Sequence, residues 1–380
     1  MRIALFCHSL LSDWNHGNAH FLRGVVTELV SRDHDVRVFE PRDAWSVQNL
    51  VSDHGERMLD LTRMAFPAVR PTRYGPETLD LDEVLDGCAL VLVHEWNDPE
   101  LVRRIGEHRI ERGRYTLLFH DTHHRSVTAP EQMGRLDLSG YDGVLAFGDS
   151  VRQAYVQRGW SRRVFTWHEA ADVRTFRPVD REGGWAGDLV WVGNWGDDER
   201  TQELSDFLIS PCKSLGLRAT VHGVRYPPAA RKALAEAQIH WAGWVPNFRV
   251  PAVFAQHRFT VHVPRGAYAK SLPGIPTIRP FEALACAIPL VSSPWDDTEG
   301  LFAPGRDFLV ARDSDEMCRH MRALLHDEPM ARELAERGRK TVLARHTCGH
   351  RVDELMTICA SLGVTGAIGD RRAPDLLESA

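Results

Sequence analysis

The chain has 380 residues, 43% of them hydrophobic and 26% charged. That composition excludes wholesale disorder, and the length allows about two globular domains. Lys+Arg 46 against Asp+Glu 52 leaves a net charge of −6, which argues against a general nucleic-acid phosphate binder. Lysine occurs only as Lys213, Lys232, Lys270 and Lys340, so nearly all positive charge is arginine, read here as compositional bias. The seven cysteines are scattered without a C-x-x-C pair, the usage of a reduced compartment. No secretory leader and no membrane-spanning run is expected, so the expected location is the cytoplasm.

In chain order, Ile3–His8 reads as a strand, Ala19–Val30 as a helix and Val36–Phe39 as a second strand. This is a βαβ unit and the start of a parallel sheet. Ala89–His94, Tyr115–His120 and Gly143–Ala146 read as further strands, with helices at Pro99–Glu107 and Ser150–Arg158 between them. Residues 41–85 read as an irregular insertion, a helix followed by a Pro-rich stretch (Pro67, Pro71, Pro76).

A polar, Gly-rich break at Asp180–Gly187 opens a second series. Its strands are Asp188–Val192, Arg218–His222, Ile239–Ala242, Phe259–Val263 and Pro289–Ser293. Its helices are Gln202–Leu215, Ala229–Ala237, Asp315–His326 and Pro329–Arg345. The expected fold class is α/β, two doubly wound parallel-sheet domains facing across a cleft. Residues 1–178 form the first, 179–345 the second, 346–365 a closing helix and 366–380 a flexible tail.

No G-x-G-x-x-G, G-x-x-x-x-G-K-[ST] or G-x-S-x-G occurs where those motifs carry chemistry. Two doubly wound halves without them point to a ligand held between the halves, at the carboxyl ends of the strands. The most informative segment is Leu272–Pro289. Thr277 is expected to cap a helix beginning at Pro280, whose amino end forms an anion site suited to a diphosphate. Arg279 adds a bidentate phosphate donor. Glu282, in the first turn, either takes two hydrogen bonds from a ribose diol or complements the helix dipole.

Arg279–Asp313 (RPFEALACAIPLVSSPWDDTEGLFAPGRDFLVARD) resembles the carboxyl-terminal domain of CgeB-like glycosyltransferases, the spore-maturation protein group of the GT-B class, near family 4. Gly17–Glu40, His168–Pro178, Gly193–Arg200, Gly243–Pro246 and His346–Leu355 match further segments of that class, so the resemblance spans about residues 1–360. It implies a GT-B fold and metal-independent transfer of a sugar from a nucleoside-diphosphate-sugar to a glycan, lipid, protein or small-molecule acceptor. The sugar nucleotide is then the substrate, no cofactor is needed, and nucleic acid is not a partner. A nucleotide-sugar epimerase and a non-catalytic nucleotide- or sugar-binding protein are the alternatives. Family 4 commonly carries a second glutamate before Glu282 with seven residues between the two, and here that position is Gly274.

The resemblance implies His120 as the donor-sugar contact, and His120 and Glu282 as the candidate catalytic residues. Residues His120–Arg125 (HDTHHR) also allow packing, or a metal site of His120, His123, His124 and Asp121. Arg279, Lys270, Arg265 and Arg200 are the candidate phosphate ligands, although Asp197, Asp198 and Glu199 beside Arg200 would repel a diphosphate. Gly17 and Trp14 are assigned to the donor-sugar and acceptor loop, and Trp195 is a further stacking candidate. Trp244 and Val245 are assigned to the nucleobase. His16 and His20 could face the acceptor.

Overall fold

The computed structural model describes residues 1–181, 183–196 and 199–364. Asp197, Asp198 and the expected tail at 366–380 lie outside the described residues. The first sheet has seven parallel strands: β1 (Arg2–Phe6), β2 (Asp35–Pro41), β3 (Pro71–Tyr74), β4 (Leu90–His94), β5 (Thr116–Asp121), β6 (Gly143–Ala146) and β7 (Val164–Thr166). Their order is β3-β2-β1-β4-β5-β6-β7. The second sheet has six: β8 (Gly187–Val192), β9 (Ala219–His222), β10 (His240–Trp241), β11 (His257–His262), β12 (Leu290–Ser292) and β13 (Leu309–Val310), in the order β10-β9-β8-β11-β12-β13. The central strands are largely apolar because helices cover both faces: β4 (LVLVH) is buried at every position.

Each strand order reverses once, between β1 and β4 in the first sheet and between β8 and β11 in the second. Loops leaving neighbouring strands diverge at such a point and open a crevice at their carboxyl ends.

Residues 41–85 are not an irregular insertion. They form helices Trp45–His54 and Arg57–Ala65, then β3, then helix Leu81–Leu85. β3 pairs with β2 from Val38–Pro71 to Pro41–Tyr74, and Pro71 begins this edge strand, a place where its missing N–H is tolerated. The stretch expected as one helix, Gln202–Leu215, contains a π turn at Ser205–Ile209 just before Pro211. A proline lacks the amide that would continue the α pattern, and the wider turn absorbs the break.

The chain returns to its first domain at the end. Helix Cys348–Ser361 packs on helix Asn18–Ser31, with Cys348, Val352, Leu355 and Cys359 in one core with Phe21, Leu22 and Val25. Trp167, wholly buried, donates from its indole to the Arg351 carbonyl at 2.8 Å. The two connections between domains run side by side: Ala171 pairs with Thr347, through Ala171 N–H to the His346 carbonyl (3.0 Å) and Cys348 N–H to the Ala171 carbonyl (2.9 Å).

Candidate active site

Between the sheets lies a cavity of about 580 Å³. Its walls come from the switch-point loops: Asn15–Asn18 after β1, Trp96 after β4, Asn194, Glu199 and Arg200 after β8, and Val263, Arg265 and Tyr268 after β11. The loop after β5 adds Thr122–Arg125, and the helix Ile278–Ala285 adds its amino end.

Buried polar contacts hold the loop after β1. Arg23, fully buried, donates to the Leu10 carbonyl (2.7 Å) and pairs with Asp13 (2.7 Å). Glu40, also fully buried, accepts from Leu10 N–H at 2.8 Å. Asn15 then reaches across the cleft, accepting from Asn194 Nδ2 at 2.6 Å. Gly17 lines the cavity, but its φ of −61° suits any residue, and a Cβ there would only touch Ile278 at 3.7 Å. A side chain larger than glycine's would therefore project into open cavity rather than strain the backbone.

The helix expected to begin at Pro280 begins at Ile278, so Glu282 sits in its second turn. Thr277 precedes it at φ 62°, ψ 176°, a region nearly reserved for glycine, and its side chain does not cap the helix. The first N–H groups are thus free of a side-chain cap, and Thr277, Ile278 and Arg279 line the cavity. Behind Thr277, His262 is held by Ser292 at 2.9 Å and approaches Thr277 Oγ1 at 3.4 Å.

Arg279 lines both this cavity and a side pocket of about 70 Å³. Its guanidinium is paired with Glu282, whose other neighbour is His20 Nδ1 at 3.2 Å. Glu282 is fully buried and lines neither cavity, so it faces Arg279 rather than open space for a ribose. Burial pushes its carboxyl up to about 7 against the pull of Arg279.

The other candidate phosphate ligands divide. Arg265 lines the cavity, 3.5 Å from Glu199. Arg200 also lines it but is fastened to the backbone, donating to the carbonyls of Val263 (2.9 Å), Trp195 (3.4 Å) and Asn194. Burial, then the nearby Arg265, pull Arg200 down to about 10. Lys270 points away: its side chain is 74% exposed and pairs with Glu203 at 3.2 Å. Arg125 and Arg225 were not singled out from sequence, and both line the cavity. Arg125 lies over the Trp96 ring at 4.0 Å and is held by Glu95 at 2.7 Å.

His120 does not reach the cavity. It is buried behind it against Trp167 (4.9 Å) and His94 (5.2 Å), and burial lowers it to about 3. The wall there is made by Thr122, His123, His124 and Arg125. His120, Asp121, His123 and His124 do not converge, and no group of three or more His, Cys, Asp or Glu among the described residues could hold an ion.

Trp14 is not in the wall; its indole donates to Asp53 at 2.9 Å, and Trp45 and Trp96 line the cavity instead. Trp195 is buried against Tyr226. Trp244 and Val245 line the side pocket with Asp13 and His16, Trp244 lying 4.7 Å from the His54 ring. His16 lines both spaces, whereas His20 is buried between Glu282 and Phe176. Gly274 has φ 88°, and a Cβ there would meet Glu299 at 2.8 Å. Glu299 instead spans the domains, accepting from Asp149 N–H at 2.9 Å and meeting His168 at 2.8 Å.

Two facing parallel-sheet domains, with a cation-lined cleft at the carboxyl ends of both sheets, define a GT-B fold. Solved structures with this architecture align over nearly the whole chain. Sucrose-phosphate synthase from Thermosynechococcus elongatus is 16% identical, covering 95% of this chain and 99% of that one, with a TM-score of 0.65. HepE (Alr3699) from Anabaena, in complex with UDP and glucose, is 13% identical, covering 95% and 100%, at 0.65. An alpha-glucosyltransferase in complex with UDP and DNA is 11% identical, covering 95% and 100%, at 0.69. Residues 200–357 match the family model described as glycosyl transferase-like, which together with the fold supports sugar transfer. No curated protein gives a significant match. Among the described residues no helix is long and apolar enough to cross a membrane.

Proposed function

We propose that the chain transfers a glycosyl group from a nucleoside-diphosphate-sugar to an acceptor hydroxyl, with UDP-sugars as the first donors to test. One observation carries this reading: Arg125, Arg200, Arg225, Arg265 and Arg279 line a single cavity beside an uncapped helix amino end. Several fixed positive groups around one small volume suit a diphosphate. UDP occupies complexes of HepE and of the alpha-glucosyltransferase, which share the fold. The Arg279–Asp313 motif favours the CgeB-like group near family 4 as the finer placement.

In this reading the second domain holds the donor. Arg265, Arg279 and the helix N–H groups stabilise charge on the departing diphosphate, the work a metal ion does elsewhere. Glu282 acts through Arg279, fixing its guanidinium. Trp45 and Trp96 offer ring surface on the first-domain side, where the acceptor enters. Closure of the cleft excludes water and so limits hydrolysis of the donor.

The test is a thermal-shift panel of UDP, GDP, ADP, dTDP and CDP, with Mg²⁺ or with EDTA, followed by product analysis. A ligand at a hundredfold its Kd adds about 2.7 kcal/mol, or about 5–10 °C for domains of this size. A shift with one nucleotide, equal with Mg²⁺ and EDTA, supports the metal-free donor site. No shift with any of them refutes it. Conversion of the donor to an epimer without acceptor would replace transfer by epimerisation. Binding without turnover toward any acceptor would leave a binding protein.

A further inference from the structure

Glu169 lies between β7 and β8, in the connection from the first domain to the second. It is only 7% exposed, yet it lines the cavity. Among the described residues no hydrogen-bond donor and no cation pairs with its carboxyl.

Its surroundings sharpen the contrast. The two charges that act on it are Glu282, from the helix Ile278–Ala285, and Glu95, from the loop after β4. Each of those carboxylates holds an arginine: Glu282 holds Arg279, and Glu95 holds Arg125. Glu95 also accepts from Thr122 N–H (3.0 Å) and its hydroxyl (3.1 Å). From the helix Gly266–Ser271, half-buried Tyr268 faces Glu169, and desolvation holds its phenol proton on. The cavity's other charged groups are Arg200, Arg225, Arg265 and Glu199. Its histidines, His16, His123, His124 and His262, are all lowered by burial. A carboxyl removed from water, beside two carboxylates and with no cation of its own, keeps its proton. Burial first, then Glu282 and Glu95, push it up to about 8.

We propose that Glu169 binds the sugar nucleotide as a carboxylic acid, donating a hydrogen bond to an oxygen of the ligand. This rests on the donor reading above. An ionised carboxylate in the cavity wall would repel a diphosphate and compete with it for the arginines. The protonated acid does neither and supplies a donor where the wall otherwise has an acceptor. Admission of the anionic ligand then ends where the acid ionises, and Glu169 sets an alkaline limit on binding.

The test is calorimetric titration of UDP and UDP-glucose into the full chain from pH 6.5 to 9.5, for wild type, Glu169→Gln and Glu169→Ala. Glutamine keeps a donor and cannot ionise. Wild-type affinity is expected to fall about tenfold from pH 7 to pH 9 by proton linkage. Glu169→Gln is expected to stay within about threefold of wild type at pH 7 and to lose most of that fall. Glu169→Ala, the second variant should Gln fail to fold, is expected to bind about tenfold more weakly at pH 7 and to show no such fall. A Gln variant with the wild-type pH profile, a tenfold loss in Gln at pH 7, or a flat wild-type profile overturns the role of Glu169 while leaving the donor site standing. Wild type that binds neither ligand at any pH overturns a UDP-sugar donor, and the role of Glu169 in binding one with it.

Discussion

Replacing Arg279 with Ala separates its two connections, to the ligand and to Glu282. Its side chain is 17% exposed and lines the cavity, so a bound diphosphate loses one or two charge-assisted hydrogen bonds. Each is worth about 1.5–3 kcal/mol, so the loss of one alone should weaken UDP binding about 10- to 150-fold. The effect on stability depends on pH. Glu282 is raised from its ordinary 4.5 to about 7 in the folded chain. Below pH 4.5 both folded and unfolded chains hold the proton, and the group contributes nothing. From there to about 7 the unfolded chain ionises first, and the folded state loses stability as pH rises. Arg279 limits that loss by stabilising the ionised form. Without it the carboxyl rises further and the loss continues upward in pH. At pH 8.5 the added loss is at most about 1.36 × 1.5, or about 2 kcal/mol, and near pH 5 it vanishes. Calorimetric titration with UDP at pH 7, and melting curves at pH 5 and 8.5, read the two effects separately. Unchanged UDP affinity in a folded variant would refute the ligand contact. An equal drop in Tm at both pH values would refute the coupling to Glu282.

Two further substitutions test the fold and the helix entrance. Gly140→Ala would place a Cβ 2.2 Å from the Gly106 carbonyl oxygen, and neither backbone can retreat cheaply. A loss of about 3 kcal/mol, seen as a Tm drop of about 6–12 °C, is expected, and a variant melting like wild type would contradict that packing. Thr277→Gly relieves about 1–3 kcal/mol of backbone strain and loses about 0.5–1 kcal/mol to glycine's freedom when unfolded. The expected Tm rise is about 2–4 °C, and a fall would show that the His262–Thr277 contact outweighs the strain.

The parallel sheets were legible because their strands are short, largely apolar runs. Ala89–His94 differs from β4 by one residue at its start, and Tyr115–His120 from β5 by one residue at each limit. The edge strand β3 was not legible: PTRY has neither alternation nor a run, and it becomes a strand only because β2 offers a free edge. The cleft was legible as a place, from two doubly wound halves, and so were Arg265 and Arg279 in it. Lys270 was a candidate by residue type, but type says nothing about which side of a one-and-a-half-turn helix a residue occupies. His120 and Glu282 sit one layer behind the wall, a distinction of a few ångströms set by where the helix begins and how the strand pleats. Glu169 gave no signal. A lone carboxylate in HEAAD becomes unusual only when two domains close over it and leave it without a partner.

The paired connections at Ala171 and Thr347 bear on how the cleft can open. A single tether lets two bodies bend, twist and slide. Two adjacent backbones joined by hydrogen bonds behave as a strap hinge, compliant to folding across its width and stiff to torsion. Relative motion of the domains is thereby confined to about one rotational coordinate. The arginines of the second domain then sweep toward the tryptophans of the first along one arc, and each closure returns them to the same register.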